Sequence, residues 1–399
     1  MRNNLFYKQV KENALNKPLV YLFEKYANQH SDFQVFIITS PLGERYTYQY
    51  EENAIIALIP NHKLIFINLI DNNDAFEDYV DDVVQDLNSI SDKYKYMEYI
   101  GRARTWKKEL IETFSYDAKT FNIERLLSQT VLHGELGRKA DLLISLLTGS
   151  INDIEKVGAV LPQTILEKVK RNIILFDGEQ TRFIFRNYAI KKMISVQGLS
   201  GTGKTELLLH KLKELYINDD ETTIFFTCHN IALADKLRQR IPRFFDFMMV
   251  NKQIKWNERL WMSRAWGSKN NPNTGLYSYL CNYYDLPFCR YSPGIDYQVI
   301  FSNILEAINA IPPKKFKPCL DYILVDESQD FPEVFFEVCK KVVRQKVYMA
   351  GDVFQDIFDS VKKKKWGVDI VLNRCYRTDP RTLMFAHAVG LGLFEENKL

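Results

Sequence analysis

A chain of 399 residues with 46% hydrophobic and 13% aromatic content is long enough for two or three packed domains and too apolar to be broadly disordered. Its 53 basic and 50 acidic residues leave a net charge of +3, so overall charge neither demands nor excludes a nucleic-acid partner; a local groove would have to supply that binding. The six cysteines form no C-x-x-C pair and have no companion histidine spacing, which points to reduced, buried thiols in a cytoplasmic protein rather than a metal site.

Residues 4–29 have the composition of one or two amphipathic helices, with Pro18 as a break. Then the period changes: 33–40, 45–50, 54–59 and 63–70 are β-rich runs separated by turn residues, which predicts an antiparallel meander of about four strands. The stretch 54–70 is the longest apolar one, and Pro60-Asn61-His62-Lys63 interrupts it, so no membrane span is expected. Residues 74–90 and 93–115 return to helical patterning. The first carries an acidic face (Glu77, Asp78, Asp81, Asp82, Asp86), and such a run is most often a solvated surface. No Glu-x-Lys pair of the kind a metal-dependent nuclease needs occurs between residues 1 and 170, and His30, His62 and His133 are scattered. The segment 119–171 reads as a helical connector.

From residue 172 strand and helix patterns alternate, the signature of a parallel sheet with crossover helices. Expected strands are 194–197, 223–227, 322–325, 346–350 and 369–372. A Trp- and Tyr-rich insertion over 243–318 has no strong strand signal and reads as a helical subdomain.

Within this half, Gly198-Leu199-Ser200-Gly201-Thr202-Gly203-Lys204-Thr205 is a complete G-x-x-x-x-G-K-[ST] phosphate loop, preceded by a strand-type run and followed by a helical one. Glycines let the backbone N–H groups turn toward phosphate oxygens, and the helix N-terminus adds to that field. The candidate nucleotide-binding residues are Gly198, Ser200, Gly201, Thr202, Gly203, Lys204, Thr205 and Glu206. Lys204 is expected at the β/γ-phosphates of ATP and the Thr205 hydroxyl on Mg²⁺. Downstream, Tyr322-Ile-Leu-Val-Asp326-Glu327-Ser-Gln329-Asp330 is an apolar strand running into acids. Asp326 is placed to hold Mg²⁺ and Glu327 to deprotonate the attacking water.

This set resembles the superfamily 1 helicases of the UvrD/Rep/PcrA type. Their Asp-Glu-x-Gln-Asp motif is matched at Asp326, Glu327, Gln329 and Asp330, and their Gly-Asp-x-x-Gln-x-Ile-Tyr motif at Gly351, Asp352, Gln355 and Ile357, with Phe358 in place of the Tyr, which keeps the aromatic. The resemblance implies that Gln355 senses the γ-phosphate. Phe176-Asp177-Gly178-Glu179-Gln180 is similar to the adenine-reading Q motif, with Gln180 as the amide that pairs with the base; Asp177 could equally cap a helix. His229 and Asn230 resemble part of motif Ia, and Arg264-Ala-Trp266-Gly-Ser268 falls where motif Ib is expected, which implies contacts to single-stranded DNA or RNA. Trp256, Trp261 and Trp266 are candidate stacking platforms or core residues. Leu372-Asn-Arg374-Cys-Tyr376-Arg377 resembles motif IV, which implies that Tyr376 stacks on adenine and Arg377 reaches the γ-phosphate.

The resemblance covers roughly residues 172–390. It implies an α/β fold there, a RecA-like P-loop sheet flanked by helices; the patterning of the first 118 residues places a smaller α+β domain with the meander before it. The expected order is an N-terminal domain (1–118), connector (119–171), ATPase domain (172–368) and the start of a second RecA-like domain (369–399). The family's later motifs have no counterpart, so a further RecA-like domain or a protein partner is expected to complete the motor. The expected activity is ATP hydrolysis coupled to translocation on single-stranded nucleic acid. The alternative is an ATP-dependent regulatory switch without translocation, since motors with an added N-terminal module occur among bacterial phage-defence proteins.

Overall fold

A computed structural model describes residues 6–30, 34–42, 46–150, 178–185, 191–290, 292, 294–352, 367–372, 385 and 388. The chain divides into two compact units, residues 1–182 with 376–399, and residues 183–375.

The first unit is built on a five-stranded sheet, β1 (Phe6–Gln9), β2 (Val35–Ile38), β3 (Ala54–Leu58), β4 (Leu64–Asn68) and β5 (Ile111–Ser115), in the spatial order β1-β2-β3-β4-β5. Every residue of β2, β3 and β4 is buried, which requires cover on both faces and explains their unbroken apolar runs. One face (Val35, Ile37, Ile55, Ala57, Ile65, Ile67) packs with Leu19, Val20 and Phe23 of the helix Lys17–Gln29 and Leu126 and Leu127 of the helix Ile123–Thr130. The helix Asn73–Lys93 covers the other face, where Tyr79 meets Phe66.

Several expectations are corrected here. The sheet is mixed, not a meander: β1·β2 and β4·β5 are parallel, and β2·β3 and β3·β4 antiparallel. Residues 46–50 form no strand. Both edges of β3 are already taken by β2 and β4, and the tyrosine hydroxyls are anchored elsewhere: Tyr48 donates to Asp86 Oδ2 at 2.7 Å and Tyr50 to Asn68 Oδ1 at 2.9 Å. The N-terminal stretch contributes strand β1 before its helix, and Pro18 lies in the first turn of that helix, where its missing N–H would have had no partner. Residues 97–109 are helical in two pieces broken at Gly101 (φ +76°), and 111–115 is an edge strand with alternating burial. Nor is the described part of 119–171 a separate connector, because Leu126 and Leu127 belong to this unit's core.

The second unit carries a six-stranded, all-parallel sheet: β6 (Met193–Gly198), β7 (Ile224–Cys228), β8 (Leu260–Arg264), β9 (Leu320–Val325), β10 (Val343–Gly351) and β11 (Ile370–Leu372). Its order is β11-β6-β10-β9-β7-β8, with all five pairings parallel. The five expected strands form within a few residues of their predicted ends. On one face Phe225, Trp261, Ile323, Val325, Val347 and Met349 pack with the helices Leu276–Tyr283, Tyr297–Ala310 and Glu333–Val342. On the other, the helix Lys204–Asn218 lies over Tyr348 through Lys211.

Two assignments change. The insertion 243–318 is not purely helical: its residues Leu260–Arg264 form β8 on the edge of this sheet, Trp261 opposite Phe225. The strand expected to open a second domain, β11, pairs with β6 and belongs to this same sheet. Among the described residues no helix is long and apolar enough to cross a membrane.

Candidate nucleotide site and adjoining groove

In a parallel sheet all strands end at the same edge, and ligands bind beyond their carboxyl ends. Three neighbouring strands, β6, β10 and β9, deliver the predicted motifs to one place on that edge. The loop with the G-x-x-x-x-G-K-[ST] pattern leaves β6 and enters the helix Lys204–Asn218. Gly201 (φ +82°) and Gly203 (φ +88°) hold left-handed backbone that side chains avoid. At Gly198 the restriction is spatial: a Cβ there would lie 2.5 Å from Thr202 Oγ1 and 2.8 Å from Leu372 Cβ. Thr202 is buried and its hydroxyl donates to Leu199 O at 2.8 Å, closing the loop on itself.

Lys204 is only 7% exposed. Its Nζ donates to Gly198 O (2.8 Å) and Leu199 O (3.0 Å) and lies 3.6 Å from Asp352 Oδ2. The ammonium therefore points into the concavity of its own loop, where a phosphate oxygen would meet it. The next residue, Thr205, donates through Oγ1 to Asp326 Oδ2 at 2.8 Å, joining two motifs 121 positions apart. Ser200 is exposed on the rim of the loop, and Glu206 forms an ion pair with Arg240 of the helix Ile231–Phe247.

Asp326 is fully buried, and burial pushes its carboxyl up to about 6, with the neighbouring Glu327 charge adding to the rise and the Thr205 hydroxyl and Lys204 opposing it. Glu327 sits in left-handed backbone (φ +50°, ψ 53°), uncommon for a non-glycine residue, and its N–H donates to Asp326 Oδ1 at 3.1 Å. Gln329 Nε2 donates to Glu327 Oε2 at 2.7 Å, and Gln329 Oε1 accepts from the Asp352 N–H at 3.0 Å. A Thr205 hydroxyl beside a buried carboxylate fits Mg²⁺, which keeps several waters and needs only one or two protein ligands.

Of the remaining predicted residues, Gln180 is described and buried in the helix Gly178–Phe185, within the first unit by contact. Gln355, Tyr376 and Arg377 lie outside the described residues.

At the carboxyl ends of β7 and β8 the sheet edge opens into a groove of about 990 Å³, lined among others by His229, Arg264, Trp266, Lys269, Arg290 and Tyr297. Arg264, Lys269 and Arg290 share it with one carboxylate, Asp296, over an aromatic floor. His229 and Tyr297 lie with ring centroids 4.6 Å apart, and Trp266 meets Tyr297 edge-on at 5.3 Å. The three tryptophans separate in role. Trp261 is a core residue whose Nε1 donates to Asn273 Oδ1 at 2.9 Å, Trp256 lies under the Arg238 guanidinium at 4.3 Å, and Trp266, buried in the same core as Trp261, reaches the groove only at its edge. Sequence reading missed Lys269, Arg290 and Tyr297. The signal available was the aromatic and basic character of the insertion, without the fold that brings residues near 268 and 295 together.

The chain matches no known protein-family profile and no curated protein sequence.

Proposed function

We propose that the second unit is the RecA-like ATPase core of a superfamily 1-type nucleic-acid motor, hydrolysing ATP while it holds single-stranded DNA or RNA. The observation that carries the reading is the Thr205–Asp326 hydrogen bond, because it unites the phosphate loop with the acidic strand end at one sheet edge. A kinase acting on a small molecule would not need a second, water-activating acid, and Glu327 follows Asp326 directly.

In this reading the loop amides and Lys204 bind the β/γ-phosphates, and Thr205 and Asp326 hold Mg²⁺. The metal, when bound, neutralises charge on the phosphate oxygens. Glu327 accepts the proton of the attacking water as its oxygen bonds to the γ-phosphorus and the bond to the ADP oxygen breaks. Lys204 stabilises the charge that develops, from a position fixed by its own loop. In the groove, Arg264, Lys269 and Arg290 meet backbone phosphates, and the partly exposed rings of His229 and Tyr297 are the aromatic surface available to unpaired bases, with buried Trp266 packed beneath them.

The test is ATP turnover with and without single-stranded oligonucleotides, in the parent and in Lys204→Ala. Turnover that the oligonucleotide stimulates and the substitution abolishes supports the motor. Turnover with no binding of DNA or RNA in any nucleotide state would replace it with the switch reading. Undiminished turnover by Lys204→Ala would remove the nucleotide assignment.

A further inference from the structure

The short turn Ser328–Asp330 after Glu327 packs flat against the end of β10: a Cβ on Gly351 would lie 2.4 Å from Ser328 Oγ and 3.1 Å from Gln329 Oε1. Within that turn one side chain makes two contacts of opposite sense. The Asp352 N–H can only donate, so it fixes Oε1 of Gln329 toward itself. That leaves Nε2 facing the Glu327 carboxylate, which as an anion can only accept, at 2.7 Å. The amide orientation is thus set by both partners.

We propose that Gln329 is a positioning residue for Glu327, selecting the rotamer from which the carboxylate takes a proton and tying it to the backbone that leaves β10. This rests on the nucleotide-hydrolysis reading. The chemistry of the side chain suits the task. Glu327 is long and flexible and starts from left-handed backbone, so its carboxylate needs a second anchor to hold one place. A neutral amide supplies the anchor while leaving the base its charge. An arginine or lysine would neutralise the base, and a carboxylate would repel it. Asp352, at the other end of the brace, is the residue whose carboxylate lies 3.6 Å from Lys204, so the brace joins the base to the phosphate-binding cation through three adjacent strand ends.

The experiment compares the parent with Gln329→Ala, Gln329→Glu, Glu327→Gln and the double variant Glu327→Gln/Gln329→Ala. It measures steady-state and single-turnover hydrolysis of radiolabelled ATP, affinity for a fluorescent ATP analogue, and thermal unfolding. Gln329→Glu keeps the acceptor for the Asp352 N–H and replaces only the donor to Glu327. The expected result is a fall in kcat of about ten- to hundredfold in both single Gln329 variants, with ATP affinity and unfolding temperature near the parent's, since a misplacement of about 1 Å can cost two orders of magnitude. In the Glu327→Gln background, removing Gln329 should cost nothing further, because groups acting through one another are not additive. Parent-like kcat in Gln329→Glu would overturn the proposal by showing that only the contact to Asp352 matters. An equal further loss in the double variant would overturn it by showing that Gln329 acts elsewhere. A parent that turns over no ATP would instead fail the nucleotide reading, and the inference with it.

Discussion

In the first unit β2, β3 and β4 are apolar and buried from end to end, and the polar group that closes β4, Asn68, is capped by the Tyr50 hydroxyl at 2.9 Å. In the second unit the central strands are as apolar, but β6 and β9 run out into Gly198 and Asp326, and β10 ends on Gly351 just before Asp352. The difference follows from strand direction. Antiparallel neighbours β2, β3 and β4 are joined by connections that reverse at alternate ends, so polar groups are shared between two edges and satisfied locally. Six parallel strands send every exit to one edge, where Lys204, Thr205, Asp326, Glu327 and Gln329 face one another. Two of the second unit's buried charges, Lys204 and Asp326, therefore meet where a ligand could offset them, whereas others such as Lys211 and Arg259 are satisfied by carbonyls and a carboxylate elsewhere.

The sharpest way to break this contrast is Glu327→Gln, which keeps the shape of the side chain and removes its basicity. ATP hydrolysis should fall by about 10²–10⁴ while analogue binding persists; normal turnover would move the base elsewhere, with Asp330 the next acid in the turn. Next comes a matched pair of lysines. Lys204→Ala should reduce turnover by about 10²–10³, whereas Lys63→Ala, which removes a cation paired with Glu112 in the first unit, should leave turnover unchanged. A comparable loss in both would mean that the first unit shares in the chemistry.

The groove is probed by salt. Single-stranded oligonucleotide affinity should drop steeply between about 50 and 200 mM salt. Replacing Arg264, Lys269 or Arg290 by Ala should each flatten the log–log slope by about one if that residue meets a phosphate. Unchanged slopes in all three variants would place the nucleic acid elsewhere.

The smallest effect is on stability. A carboxyl whose folded pKa is raised binds more protons folded than unfolded between its ordinary value near 4 and about 6, so the stability it contributes declines as pH rises through that window. Above it Asp326 carries the cost of a buried charge. Asp326→Asn, measured without nucleotide and with a metal chelator, should be more stable than the parent by about 1–3 kcal/mol at pH 7, the gap closing toward pH 4. A variant less stable at neutral pH would show that its hydrogen bonds to Thr205 and the Glu327 N–H outweigh desolvation.

The strand–loop–helix at Gly198–Thr205 and the strand ending at Asp326 were legible because each pattern is written in consecutive residues. What escaped depends on partners far away in the chain. Strand β1 is four residues long and is defined only by pairing with β2. Strand β8, Leu-Trp-Met-Ser-Arg, has too little alternation to stand out from its aromatic surroundings, and only β7 makes it a strand. The parallel pairings at both edges of the first sheet leave no local signature, because nothing in a strand's own sequence fixes the direction of its neighbour. Gln329 belonged to a recognisable pattern, yet its contacts follow from the left-handed turn at Glu327, which residue identity did not announce.

Strand β6, which leads into the phosphate loop, has β10 on one side and β11 on the other. Both are made more than a hundred residues later on the ribosome, as the pairings Met193–Val347 and Val196–Ile370 require. At about 5–20 residues per second the nascent strand waits on the order of ten seconds with two open, apolar edges. Long-range parallel pairing of this kind makes folding slow and exposes the intermediate to misassembly. The Gly198–Thr205 loop accordingly gains its complete surroundings only when β11 docks and brings Leu372 opposite Gly198.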